Sequence, residues 1–294
     1  MNKVLQLTAQ QLPSVRGSLQ AAGFATAATL PAGAIFLLRG HDCVVTAYRS
    51  GKILIQGTGA LEAEALVRQA IGHESAQNEG EVLFPVVGGD ESGKGDLFGP
   101  LVVAAFAAGT VIDRQAVVEA GARDCKLMSD EEVLRVAKRV AQIGRSAVRV
   151  LMPDEYNAAY ARSRNVNILL NGLYARLLAD LAAEVKAQTV ILDKYGPRAL
   201  TLWEDVRPFR FIVETHAERY PEVAAASVLA RAAFLHGLGK VGLENGYGIL
   251  PKGSSRDTQS YMRKVAHERG EKGLRMVAKM NFAPIRDCLH DLFP

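Results

Sequence analysis

Cysteine is scarce and scattered: Cys43, Cys125 and Cys288 lie far apart and in no CxxC pair. An odd set of this kind excludes a disulfide framework and a cysteine-built structural zinc. The six histidines form no HxxxH pair. A metal site in this chain is therefore made of oxygen ligands, which favours a hard cation such as magnesium or manganese. No apolar run approaches the roughly 20 residues of a membrane span. The opening MNKVLQLTAQQLPSV has one lysine and neither a long apolar region nor a small-residue cleavage site, so a cytoplasmic location is expected. Internal repeats and low-complexity segments are also absent. With 49% hydrophobic and 22% charged residues over 294 positions, the composition is that of a globular protein with one large or two modest domains.

Extreme charge is missing too, the formal net charge being +4, but the charge is unevenly spread. Residues 252 to 286 hold nine Lys/Arg against three acids, and residues 1 to 73 hold six against three. Basic runs often form only a solvated helix face. They also suit a phosphate-rich partner when a carboxylate cluster lies elsewhere on the chain.

Along the chain, residues 1–73 read β-α-β-β-β-α. CVVTAYRSGKILIQG forms a hairpin with Ser50-Gly51 at its turn, flanked by Arg49 and Lys52. The polar stretch at 74–81 has no periodic pattern and reads as a linker. From 82 to 294 strands and helices alternate: strands near 82–90, 100–108, 146–152, 188–193 and 209–214, helices near 129–142, 165–185 and 221–237. This predicts an α/β domain with a mixed sheet and flanking helices, followed by C-terminal helices.

The chemistry concentrates in VGGDESGKGDLFGP, residues 87–100, where Asp90 and Glu91 stand between an apolar strand and a glycine-rich turn. Such a pair can cap a helix or face solvent. Here no helical pattern follows, and Gly93 and Gly95 flank Lys94 with bare backbone that a polyanion can approach. Asp193 ends the apolar run Thr189-Val190-Ile191-Leu192. Glu218 lies between the strand at 209–214 and an alanine-rich helix that Pro221 opens. In isolation the first is an ordinary turn aspartate and the second complements a helix dipole. Gathered at one sheet edge, these carboxylates repel, each pair at about 4 Å costing on the order of 4 kcal/mol at an effective dielectric near 20. Two divalent cations offset that repulsion and promote in-line displacement at phosphorus, which points to metal-assisted phosphodiester hydrolysis.

These stretches resemble the type 2 ribonucleases H. GGDESGKGDLFGP is similar to their signature, and its Asp96-Leu97-Phe98-Gly99-Pro100 version resembles the ribonuclease HIII branch. DCKLMSD (124–130), YNAAYARSRNVNILLNGLYARLL (156–178), ILDKYG (191–196), THAERYPEVAAASVLAR (215–231) and LPKGSSRDTQSYM (250–262) follow in order. The resemblance implies a ribonuclease H-like fold, dependence on Mg²⁺ or Mn²⁺, and cleavage of RNA paired with DNA to leave 5′-phosphate and 3′-hydroxyl ends. It also implies a metal-binding set of Asp90, Glu91, Asp193 and Glu218, with Glu218 pointing to the HIII branch. YRSGKILIQG resembles a TATA-binding-protein-like substrate-binding domain over residues 1–73. Substrate contacts are expected from Gly93, Lys94, Gly95, Lys126 and Lys252, and from Arg49 and Lys52 in the first domain. Cys125 departs from the family's usual serine, placing a poor hydrogen-bond donor there.

A monomer acting on RNA/DNA hybrids is expected, with no membrane and no obligate protein partner. Two rival readings remain. One is incision at single ribonucleotides in DNA, as in the HII branch; Glu218 and the basic first domain argue against it. The other is non-catalytic hybrid binding, against which the four acids argue.

Overall fold

The structure is a computed structural model and describes residues 2–7, 11–77, 82–196 and 209–292. The chain divides into two compact units, Met1–Val82 and Leu83–Pro294.

In the first unit the order is β1 (Asn2–Gln6), α1 (Gln11–Ala21), β2 (Ala25–Thr26), β3 (Ala34–Gly40), β4 (Cys43–Tyr48), β5 (Lys52–Gly57) and α2 (Ala60–Gln77). The strands form an antiparallel sheet in the order β1-β5-β4-β3-β2. Alternation along β5 buries Ile53 and Ile55 and exposes Lys52 and Gln56, the period-2 pattern of a sheet covered on one face. That face packs Phe36, Leu38, Val45 and Ala47 against Leu12, Val15 and Leu19 of α1 and Ala63 and Val67 of α2. The hairpin turn is as expected: Gly51 takes φ +81° and its N–H donates to the Tyr48 carbonyl at 2.9 Å. The linker expected at 74–81 is revised, because α2 continues to Gln77. Polarity does not end a helix, and Glu74, Ala76 and Gln77 are good helix formers. Residues 78–81 lie outside the described residues.

The second unit contains β6 (Val86–Ser92), β7 (Leu101–Ala108), α3 (Val111–Glu119), α4 (Asp130–Val140), β8 (Arg145–Leu151), α5 (Pro153–Ser163), α6 (Val166–Val185), β9 (Thr189–Asp193), β10 (Arg210–Glu214), α7 (Pro221–Glu244), α8 (Arg256–Val277) and α9 (Ala283–Leu292). Its mixed sheet runs β10-β9-β6-β7-β8, with β6 at the centre, parallel to β9 and antiparallel to β7. Every residue of β7 is buried, which is why its sequence reads as an unbroken apolar run. Val102, Ala104 and Phe106 face a core built with α4, α7 and α8. Leu101, Val103 and Ala105 face the opposite core, built with α5 and α6. By length and mean hydropathy alone α6 matches a membrane span, although it is no unbroken apolar run. It carries Arg176, Asp180 and Glu184, and its Leu170, Tyr174, Leu178 and Leu181 lie in the second core.

Candidate active site

Glycine lets the elements of the site approach. A Cβ on Gly88 would sit 2.3 Å from the backbone carbon of Glu222 and 2.4 Å from the nitrogen of Val223, so the first turn of α7 lies directly on β6. Parallel pairing sets Gly89 opposite Leu192. The residues that follow, Asp90 and Asp193, are therefore neighbours at the carboxyl ends of adjacent strands, where open α/β sheets place their ligands. Glu218 comes from the single 3₁₀ turn Ala217–Arg219 just before α7. The N–H of Ala217 donates to Asp193 Oδ1 at 3.0 Å, which ties that turn to the end of β9.

Asp90, Glu91 and Asp193 line one cavity of about 550 Å³, together with the cations Lys94, Lys126, Arg231 and Lys252. Each acid has its own donor. Asp90 Oδ1 accepts from the Glu91 N–H at 2.8 Å, and Glu91 Oε2 accepts from the Tyr174 hydroxyl at 2.7 Å. Glu218 Oε1 accepts from Lys126 Nζ at 3.0 Å; the Glu218 side chain is 7% exposed and that of Lys126 is 73% exposed. Burial raises the pKa of Asp90 well above the ordinary carboxylate value, and Glu91 beside it raises it further, against a hydrogen bond from Ser227. Burial likewise raises Glu91 and Asp193. For Glu218 burial is the largest single influence and pushes in the same direction, but the hydrogen bond and charge of Lys126, a backbone N–H and the nearby His216 together outweigh it and the pKa is lowered. Among the described residues, no three His, Cys, Asp or Glu are already drawn into a cage. The donor set nonetheless suits hard cations: three half-buried or buried carboxylates, all held above their usual pKa, face one cavity.

The expected substrate residues separate. Gly93 is buried at φ +88°, and a Cβ there would sit 2.2 Å from the Pro100 carbonyl, so this glycine serves the turn itself. Gly95 is exposed with nothing within 4 Å of a Cβ, and the open backbone expected of both glycines belongs to it alone. Lys94 Nζ donates to the Tyr195 carbonyl and lies 3.9 Å from Glu91 Oε1. Lys252 pairs with Asp130, which also accepts from Arg231 at 3.3 Å. Arg49 and Lys52 are exposed at the β4–β5 turn of the first unit. Cys125 Sγ lies within hydrogen-bond distance of the Ser227 hydroxyl, at 3.2 Å, and burial raises its thiol pKa, so it is no thiolate nucleophile. Sequence reasoning did not find Tyr174, Ser227 or Arg231. Ser227 alone had a signal, as the one polar side chain in AAASVLA.

The family model described as Ribonuclease HII matches residues 87–285. A curated Ribonuclease HIII of Chlamydia muridarum is 33% identical over 97% of this chain and 96% of its own. The chain belongs to the ribonuclease HIII family. Ribonuclease HIII of Chlamydia abortus is also 33% identical, over 86% of this chain and 87% of its own. Among solved structures, Bst-RNase HIII in complex with Mn²⁺ superposes with a TM-score of 0.66 at 29% identity, covering 100% of this chain and 99% of that one. Aquifex aeolicus RNase H3 gives 0.58 at 27% identity, over 95% and 99%. Residues 2–79 match a domain of unknown function (DUF3378). The mixed sheet with flanking helices is thus the ribonuclease HIII fold.

Proposed function

We propose that Asp90, Glu91, Asp193 and Glu218 are the metal-holding carboxylates with which this endoribonuclease hydrolyses the RNA strand of RNA/DNA hybrids. The observation that carries the assignment is the convergence of Asp90, Glu91 and Asp193 on one cavity that also presents Lys94, Lys126, Arg231 and Lys252. Clustered acids that repel one another, with cations lining the same cavity, match a site for divalent metal and phosphodiester together. Bound Mg²⁺ or Mn²⁺ supplies Lewis-acid activation of the attacking water and of the departing 3′ oxygen. Cleavage of the O3′–P bond then leaves 5′-phosphate and 3′-hydroxyl ends.

The chain's own residues orient this chemistry. Tyr174 fixes one Glu91 oxygen, and the Ala217 N–H fixes one Asp193 oxygen. Lys126 holds Glu218 and is placed to exchange that partner for a substrate phosphate. The exposed backbone at Gly95 offers N–H and C=O groups to a ribose 2′-hydroxyl, the group that distinguishes RNA from DNA. The same proposal takes residues 1–73 as a TATA-binding-protein-like substrate grip, with Arg49 and Lys52 on phosphates, and the enzyme as a cytoplasmic monomer.

The test is a time course on a labelled RNA/DNA hybrid beside RNA/RNA and DNA/DNA duplexes, with Mg²⁺, with Mn²⁺ and with chelator. Cleavage of the hybrid alone, dependent on metal and lost in Asp193→Asn, is the expected outcome. Wild-type rates in that variant would remove Asp193 from the site.

A further inference from the structure

Lys279 is fully buried and has no carboxylate partner among its hydrogen bonds. Its Nζ donates to three main-chain carbonyls, Asp96 at 2.9 Å, Phe98 at 3.3 Å and Gly99 at 2.8 Å, and stands 5.8 Å from the centre of the Tyr156 ring. Three carbonyls match the three N–H groups of an ammonium, whereas a neutral amine would leave one of them facing a lone pair. Burial pushes the pKa down to about 7, with nearby Asp96 pulling the other way. The three carbonyl bonds are what offset the cost of burying this ammonium, so the turn that supplies them and Lys279 are held together.

The carbonyls it gathers are those of the turn that follows Gly95. That turn is bound twice more to the same segment: Lys279 N–H donates to Leu97 O at 2.9 Å and Gly99 N–H to Val277 O at 2.9 Å. On the other side it reaches the cavity. Asp96 Oδ1 accepts from the Gly253 N–H at 2.6 Å, and Leu97 N–H donates to Gly253 O at 3.0 Å. Gly253 follows Lys252, whose ammonium lines the cavity and pairs with Asp130. The Asp96–Gly99 stretch is thus a receptor for a buried ammonium, and Asp96 passes its position on to Lys252.

We infer that Lys279 is a positioning residue for substrate binding, holding the Asp96–Gly99 turn and, through Asp96 and Gly253, the Lys252 wall in the shape that receives the hybrid's backbone. The inference rests on the functional reading above. It separates this wall from the carboxylates, which are fixed by Tyr174, Ala217 and Lys126 instead.

The test compares full-length wild type, Lys279→Met, Asp96→Ala, Lys252→Ala and the double variant D96A/K252A. The readouts are kcat and KM on an RNA/DNA hybrid, hybrid affinity by fluorescence anisotropy, and Mn²⁺ affinity by calorimetry. Lys279→Met is expected to raise KM and the hybrid Kd at least tenfold while Mn²⁺ affinity stays within twofold. If Lys279→Met does not fold, Asp96→Ala decides: it removes the side-chain half of the link to Gly253, leaving the Leu97 N–H bond and the ammonium's carbonyls in place, and is expected to raise KM and Kd alike. Because Asp96 acts through the Lys252 wall, D96A/K252A should bind no more than twofold worse than Lys252→Ala. Wild-type hybrid affinity in Asp96→Ala, or multiplying effects in the double variant, overturns the inference and leaves Lys279 a purely structural residue. A wild type that cleaves no hybrid with either metal sinks the functional reading instead, so the two failures are distinguishable.

Discussion

Asp90 is 8% exposed with Glu91 adjacent, and a carboxylate so placed favours its proton. Its folded pKa lies above the unfolded value, so between the two the folded chain binds more protons than the unfolded one. The stability of the metal-free protein therefore falls as pH rises through that window. Metal binding needs the same groups deprotonated, so Mn²⁺ affinity is expected to rise with pH across the window, with release of protons. Calorimetry in two buffers of different ionisation enthalpy measures both, and a pH-independent affinity would contradict the assignment. Asp90→Asn should stabilise the metal-free chain at neutral pH, because it removes the carboxylate charge that burial and Glu91 disfavour. The same variant should lose cleavage by orders of magnitude and lose the stabilisation that Mn²⁺ gives the wild type. The two turn glycines divide in a similar way. Gly93→Ala must place a Cβ 2.2 Å from a carbonyl at φ +88° and is expected to fold poorly, whereas Gly95→Ala meets nothing and should melt like wild type while cleaving hybrids more slowly. Equal melting temperatures for the two would refute the division. Asp90, Glu91 and Asp193 were legible in sequence because they follow directly on apolar runs, although β6 continues through the first two to Ser92 rather than ending at 90. The different duties of Gly93 and Gly95 were not, because they depend on Pro100 and Phe234 closing over one glycine and not the other.

Helix α7 brings two side chains to the cavity, Ser227 and Arg231, and Glu218 is on the turn that leads into it. Its register on the sheet is held by a buried ion pair. Arg114 of α3 donates from Nε and Nη2 to the two oxygens of Glu222 at 2.9 and 3.1 Å, and Glu222 is completely buried. Arg114→Met leaves that carboxylate unpaired, which typically costs about 3–5 kcal/mol. Urea denaturation should show a loss of that size, and adding Glu222→Leu should recover much of it. A loss in Arg114→Met no larger than that of an exposed arginine would mean that the pair does not hold the helix. The start of α7 was legible because Pro221 fits a first helical turn. Its partner helix was not. In α3 the capping box of Thr110 and Asp113 was a readable sign, but Val111, Ile112 and Val118 are exposed and blur the apolar face. Helix α5 begins at Pro153 behind Met152, which lends no side-chain cap, and β2 is only two residues long. Elements that short or that weakly patterned are defined by what packs on them.

At the scale of the whole molecule, a net charge of +4 is too small to draw in a polyanion by itself, so local arrangement decides the affinity for nucleic acid. The Leu83–Pro294 unit has two hydrophobic cores of its own. The four proposed metal-holding carboxylates also lie within it. Removing residues 2–82 is therefore expected to leave a folded, metal-dependent nuclease with kcat within a few fold of the full chain. Residues 1–73 hold an excess of three positive charges, which Glu74, Glu79 and Glu81 cancel over the whole Met1–Val82 unit, so any grip rests on local placement, with Arg49 and Lys52 exposed at one hairpin turn. If they neutralise phosphates, each side chain adds about one unit to the log–log salt dependence of binding. Arg49→Ala/Lys52→Ala should then bind hybrids more weakly at low salt, with a slope shallower by about two units, and the truncated chain should show at least as large a change. Measuring hybrid affinity for all three proteins across a salt series decides between a substrate grip and a pair of solvated hairpin charges. Unchanged slope and affinity in both altered chains would leave the first unit without a role in holding the hybrid, while the assignment of the carboxylates would stand untouched.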